Sequence, residues 1–263
     1  MGDFLDGKAQ QPLPPTLAPF EAEVDHFASV CRELCMKILR LFALGLKSSS
    51  NSQIDSSEGG QDWFSTRHDL STGEPSGSIL RFLHYPTLPP SFSYNPETDI
   101  RAGAHSDYGS VTLLFQRPAQ PGLEILSPAE EDPPSWSSVP VSPPGTEHDA
   151  GLPILVNIGD MLSDWTEGLL KSTVHRVVFP SSAGGNNDDG GKMEVRDRYS
   201  IAYFCHPLDS TPLVPVPSER VRERERATEK ERIASTPQRD ILTAKQHLEK
   251  RLAATYGWET STI

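Results

Sequence analysis

Val24, Phe27, Cys31, Leu34, Ile38 and Leu41 recur at alternating steps of three and four. That spacing sets them on one stripe of a helix facing a core. Gly45 is placed to end the helix, since glycine takes up the left-handed conformation that a helix end often needs. Further on the apolar positions shorten into strand-like runs. Ile79–Tyr85 carries Leu80, Phe82 and, less regularly, Leu83, and Pro86, Pro89 and Pro90 stop the pairing. Residues 122–126 form a second short strand. Residues 153–158 are almost continuously apolar, which predicts a strand covered on both faces, and Gly159–Asp160 turns it into a short helix over 161–165. A strand-like run follows at 201–204. In 243–256, Leu248 and Leu252 lie one helical turn apart, with Gly257 as terminator.

The intervening stretches lack a period. Residues 2–19 hold four prolines and predict a loop-like lead-in. Residues 47–60 and the Gly/Asn-rich 181–195 predict solvated loops. Residues 127–151, with six prolines and many acids, predict a surface excursion anchored by Trp136. The charge-dense 218–232 predicts a solvated helix face or linker. The expected division is a lead-in over 1–19, a mainly β domain with flanking helices over 20–217, and a charged, helical segment over 218–263. A chain of 263 residues suffices for one such core, and no internal repeat is present.

A net charge of −12 removes the basic face that nucleic acid or an anionic membrane would require. No apolar run approaches a membrane span, and residues 1–19 lack the order of a signal peptide. These features predict a cytoplasmic protein whose partner is a small molecule. Cys31, Cys35 and Cys205 form neither a Cys-x-x-Cys pair nor an even set, so buried, reduced thiols are expected.

Against this background three polar elements stand out. His105 and Asp107 flank one residue in the stretch 102–116, and on an extended segment both side chains point to the same face. His175 supplies a third donor from another strand. Two imidazoles and a carboxylate on one side of an ion leave the other side open, a facial arrangement that suits Fe(II) that activates O2. Arg198 and Ser200 form a second alternating pair. A guanidinium fork with a hydroxyl beside it makes a carboxylate clamp.

The order His-x-Asp (105–107), Lys-Ser-Thr-Val-His-Arg-Val (171–177) and Arg-x-Ser (198–200) resembles the isopenicillin N synthase-like branch of the Fe(II)/2-oxoglutarate-dependent dioxygenases. Leu-Arg-Phe-Leu-His-Tyr-Pro (80–86) and Val-Asn-Ile-Gly-Asp-Met-Leu (156–162) extend the resemblance, which covers about 20–258. It implies a double-stranded β-helix, or jelly roll, with a strand over 169–178 that bears the second histidine and with iron held by His105, Asp107 and His175 at one mouth. It further implies 2-oxoglutarate held by Arg198, Ser200 and Tyr85, and oxidation of a small organic molecule by O2 with release of succinate and CO2. Tyr108, Phe115 and Arg101 are candidate wall residues. His84 and His148 are expected to be structural and solvated, respectively. Two other readings fit the same motifs: an isopenicillin N synthase-type oxidase that does not use 2-oxoglutarate, and a truncated, non-catalytic jelly roll. Family members carry strands and short helices ahead of the first long helix, whereas about twenty loop-like residues precede it here. The expectation is an uncovered sheet edge and a poorly soluble or marginally stable chain.

Overall fold

A computed structural model describes residues 4–5, 8–46, 60–89, 95, 99–127, 134–146, 148–179, 197–231 and 240–257. The loops expected at 47–60 and 181–195 lie outside the described residues except for Gly60, which opens a 3-10 turn. The described chain holds ten strands and five α-helices, with the third to eighth strands following one another before the third α-helix. The lead-in is not wholly loop: β1 (Phe4–Leu5) pairs with β2 (Lys8–Ala9), and Ala9 packs against the core.

Helix α1 (Glu21–Gly45) buries Val24, Ala28, Cys31, Cys35, Leu39 and Ala43. The stripe is thus rotated from the one traced by the large apolar residues. Phe27, Leu34 and Ile38 sit partly buried at its margin, and Leu41 is 66% exposed. Small residues occupy the line of closest approach because they let the helix lie near the sheet. Gly45 closes the last turn without a left-handed residue, since the following Leu46 has φ −79°.

Strands β3 (Ile79–Tyr85), β10 (Arg198–Cys205), β5 (Val111–Gln116) and β8 (Leu155–Ile158) form one antiparallel sheet in that order. Strands β4 (Ile100–His105), β9 (His175–Val178), β6 (Leu123–Leu126) and β7 (Trp136–Ser138) form the second. Chain neighbours β4 and β5, like β9 and β10, fall in opposite sheets, which makes the pair a jelly roll. Strand β7 arises inside the proline-rich excursion, where pairing was not expected. Its Trp136 lies opposite Leu126 and beneath the Arg176 guanidinium, 4.1 Å from the ring centroid. Strand β8 ends its sheet, and Ile154 and Val156 beside and within it are 39% and 42% exposed, so it is not covered on both faces.

The period of two divides the first sheet sharply. Leu80, Leu113, Tyr203 and Cys205 point to the helix side and join the buried core with α1. Leu83, Tyr85, Leu114, Ser200 and Phe204 point the other way and line a cavity between the sheets. The hydrophobic core therefore sits beneath the helices, and the jelly-roll interior is left open. Helices α2 (Trp63–Thr66) and α3 (Asp160–Trp165) extend that core through Trp63, Phe64 and Trp165, whose ring centroids are 4.9–5.7 Å apart. The Trp165 indole N–H donates to the Pro212 carbonyl at 3.2 Å, tying down the exit from β10. Helix α4 (Glu219–Glu231) is charged as expected, but it buries Val221. Helix α5 (Ala244–Tyr256) begins with a Thr243/Gln246 capping box and ends at left-handed Gly257, φ 67°.

Removing the Trp165 side chain should empty the centre of this aromatic cluster. Trp165→Ala is expected to cost about 3–5 kcal/mol in urea unfolding. Trp136→Ala, half-buried on β7, should cost about 1 kcal/mol. Equal losses for the two variants would contradict the placement of the core.

Candidate active site

The ladder between β4 and β9 sets His105 directly opposite His175, with ring centroids 4.4 Å apart. Asp107 follows two residues after His105, but the strand has already ended. The carboxylate arrives from the turn between β4 and β5, not from an extended segment as its spacing suggested. One donor atom from each of His105, Asp107 and His175 lies within 4.8 Å of the others. The Nε2 atoms of His175 and His105 are 3.7 and 4.0 Å from Asp107 Oδ1.

Hydrogen bonds orient each donor. His105 Nδ1 lies 2.7 Å from the Gly103 carbonyl, and His175 Nδ1 lies 3.0 Å from that of Thr173. A carbonyl only accepts, so Nδ1 carries the proton and the Nε2 lone pair is presented to the site. Asp107 is 5% exposed. Its Oδ2 accepts from Thr112 Oγ1 at 2.6 Å and Asn157 Nδ2 at 2.7 Å, which leaves Oδ1 facing the imidazoles. Two neutral imidazoles and a carboxylate on one side of a shared point are a donor set that fits Fe(II) with open positions.

The turn carrying Asp107 is gripped from behind. Backbone N–H groups of Gly159, Asp160 and Met161, at the start of α3, donate to the carbonyls of Ser110, Asp107 and Gly109 at 2.8–3.0 Å. These are amides for which a helix start has no internal partner. The approach requires glycine: a Cβ on Gly159 would lie 2.3 Å from the Gly109 carbonyl oxygen. His68, fully buried, donates through Nδ1 to the Phe64 carbonyl at 2.7 Å and accepts from Ser110 Oγ at 2.9 Å. Burial holds its pKa down at about 4.

Arg198 opens β10 with Ser200 on the same face, and Tyr85 is its partner across the ladder. It is 2% exposed. Its guanidinium donates to Ser200 Oγ at 3.3 Å and Gln116 Oε1 at 3.2 Å, and sits 5.7 Å from the Tyr85 ring centroid. Nε has no partner, and among the described residues no carboxylate pairs with this cation. Burial lowers its pKa, Tyr85 offsets part of the shift, and Arg101 adds to it. An uncompensated buried charge is costly, which makes the position receptive to an anion.

Both groups line one cavity of about 670 Å³. Of the three candidate wall residues, Tyr108 lines it. Phe115 instead packs on Phe27 with ring centroids 5.0 Å apart, and Arg101 lies over Phe179 at 4.6 Å. Helix α5 supplies an unanticipated wall through Leu248, Leu252 and Tyr256. It is held there by Arg251, whose Nη2 is 3.2 Å from both Asp160 Oδ2 and Ser106 Oγ, and by a Tyr108–Thr255 hydroxyl contact. His84 is structural as expected, 2.9 Å from Asp197 and stacked on Tyr199, and His148 is exposed. The supports Thr112, Asn157, Gly159, His68 and Gln116 escaped the sequence reading; a lone asparagine inside the apolar run 153–158 was the available signal.

Residues 77–207 match the family model of the 2OG-Fe(II) oxygenase superfamily. The UPF0676 protein of Schizosaccharomyces pombe is 36% identical over 98% of this chain and 64% of its own length. The 2-oxoglutarate-dependent dioxygenase htyE of Aspergillus rugulosus is 33% identical over 92% of this chain and 60% of its own length. A full-length Neurospora crassa protein, solved in complex with alpha-KG and thymine, is 29% identical, with a TM-score of 0.63, over 94% of this chain and 60% of its own. The chain thus spans 60–64% of the length of these relatives. Among the described residues no helix is long and apolar enough to cross a membrane.

Two expectations follow from the supports. Asn157→Leu frees Asp107 Oδ2 from one of its two donors and should weaken Fe(II) affinity about 10–100-fold, measured anaerobically by competition with a chelator. Unchanged affinity would separate Asn157 from the metal site. The second concerns acid. Native His68 stays neutral down to about pH 4, whereas the unfolded chain takes up that proton near 6.5. Its contribution is therefore complete above pH 6.5 and declines as pH falls from 6.5 toward 4. In metal-free protein, His68→Gln should flatten the loss of unfolding free energy over that window.

Proposed function

The chain belongs to the 2OG-Fe(II) oxygenase superfamily, and from that membership we propose that it is an Fe(II)- and 2-oxoglutarate-dependent oxygenase hydroxylating or desaturating a small organic molecule, with release of succinate and CO2. In this reading His105, Asp107 and His175 are the iron ligands, and Arg198, Ser200 and Tyr85 hold the distal carboxylate of 2-oxoglutarate. The observation that carries it is a buried guanidinium with no carboxylate partner among the described residues, in the same cavity as a preoriented His-Asp-His set.

Bound Fe(II) would supply the activation of O2, which no side chain here can perform. The residues contribute binding, orientation and exclusion of water. Nδ1–H bonds to Gly103 and Thr173 keep both imidazoles in the ligating tautomer. Thr112 and Asn157 fix one carboxylate oxygen of Asp107 and leave the other free to ligate. Arg198 offers a planar fork, which recognises a carboxylate by two parallel bonds, and Ser200 adds a hydroxyl beside it. The aliphatic walls lower the local dielectric and strengthen those charged contacts. The odd number of cysteines, all three buried, supports a reducing, cytoplasmic setting.

The test measures iron and 2-oxoglutarate affinity separately. Each charge-assisted bond contributes roughly 1.5–3 kcal/mol, so Arg198→Ala should weaken 2-oxoglutarate binding by about one to two orders of magnitude per bond. Arg198→Lys should retain part of that affinity, and neither change should alter iron binding. His175→Ala should abolish iron binding and substrate-linked succinate release together. Undiminished 2-oxoglutarate affinity in Arg198→Ala would sink the clamp and favour an oxidase that works without the keto acid.

A further inference from the structure

A second arginine enters the cavity. Arg81 lies on the inner face of β3 with Ile79, Leu83 and Tyr85, opposite Ala202 in the ladder. Tyr85 marks the Arg198 end, so Arg81 stands four residues, or about 13 Å, further along the strand. Its guanidinium lies 5.4 Å from the Phe204 ring centroid. Among the described residues no carboxylate pairs with it.

The charges lining the cavity show what Arg81 lacks. Asp107 is the one carboxylate among the lining residues, and it belongs to the candidate iron ligands. Arg251 is matched by Asp160. On the reading above, a divalent ion with Asp107 and a dianionic keto acid with Arg198 together carry no net charge. Arg81, exposed to the open cavity, is left with no carboxylate partner among the described residues, and Phe204, Tyr108, Leu248 and Leu252 are among the side chains that line the same space.

Resting on that reading, we infer that Arg81 is the substrate-recognition residue and that the substrate is an organic acid with an apolar body. Its carboxylate pairs with Arg81, and its carbon skeleton lies between Phe204 and α5. A guanidinium beside an aromatic face suits this role because the ring restricts the fork while its N–H groups stay free to bind oxygen. The Arg251 contacts to Asp160 and Ser106 keep α5 in place as the apolar side of the same pocket.

The experiment compares acids with their neutral amides of nearly the same shape: 3-phenylpropionate with 3-phenylpropanamide, and cyclohexylacetate with cyclohexylacetamide. Binding is measured by anaerobic calorimetry on protein loaded with Fe(II) and saturating 2-oxoglutarate, so that the Arg198 end is filled and no turnover is needed. The acid of at least one pair should bind about tenfold or more tightly than its amide. Arg81→Leu should abolish that preference and Arg81→Lys should keep part of it, with 2-oxoglutarate affinity the same in all three proteins. Absence of an acid preference, or its survival in Arg81→Leu, overturns the inference, as does loss of 2-oxoglutarate binding in that variant. Failure of the unmodified protein to bind 2-oxoglutarate overturns the preceding reading and this inference with it. Normal keto-acid binding without an acid preference overturns this inference alone.

Discussion

Most of what is unusual in this molecule follows from burying the Asp107 carboxylate at the mouth of a cavity. At 5% exposure it cannot rely on water, so its lone pairs must find protein partners or a cation. One oxygen accepts from Thr112 on β5 and Asn157 on β8, and the other is turned toward two imidazoles from the second sheet. The group thus joins both sheets at one point. The requirement extends into the backbone, where the first amides of α3 hold the carbonyls of the same turn and Gly159 must lack a side chain.

That arrangement also accounts for the location of the hydrophobic core. A jelly roll closed by side chains on both inner faces would leave no room at the buried carboxylate. Here the apolar side chains of the first sheet collect on its outer face, under α1, α2 and α3, around Trp63, Phe64 and Trp165. The interior is free to hold polar groups at chosen places. Stability and chemistry occupy opposite faces of β3, β5 and β10, separated by one residue of the strand period.

The cavity is graded in charge along its length. Arg198 lies deep, donating to Ser200 Oγ and Gln116 Oε1, and burial weakens its hold on the proton without making it neutral at ordinary pH. Arg81 stands toward the other end of the same strand pair. Thr112, which holds Asp107, pairs with Phe204, two residues beyond the Arg81–Ala202 pair, so along β10 Arg81 falls between Arg198 and the support of the His-Asp-His cluster, and α5 lines the same cavity.

What the sequence determined by itself was the chemistry and the pairing period. Side-chain type and a spacing of two carry chemical meaning without a fold, and they marked His105 with Asp107 and Arg198 with Ser200 as candidates; the matched block around His175 added a third donor, and the resemblance alone added Tyr85. Strands β3, β6 and β10 and helices α1, α3 and α5 were legible from local patterns, whereas β9 was expected from the resemblance and covers only His175–Val178 of the expected 169–178. Tertiary structure decided what depends on neighbours distant in the chain. It rotated α1 so that Ala28, Cys35 and Ala43 face the sheet, because contact distance selects small residues that a hydrophobic pattern passes over. It left Val156 half-exposed on an edge strand, drew β7 out of a proline-rich stretch, and brought Asn157 and Thr112 onto Asp107. A side chain that positions another carries no local signature: Gln116, His68 and Gly159 acquire their roles only when the chain closes and a particular oxygen must be held.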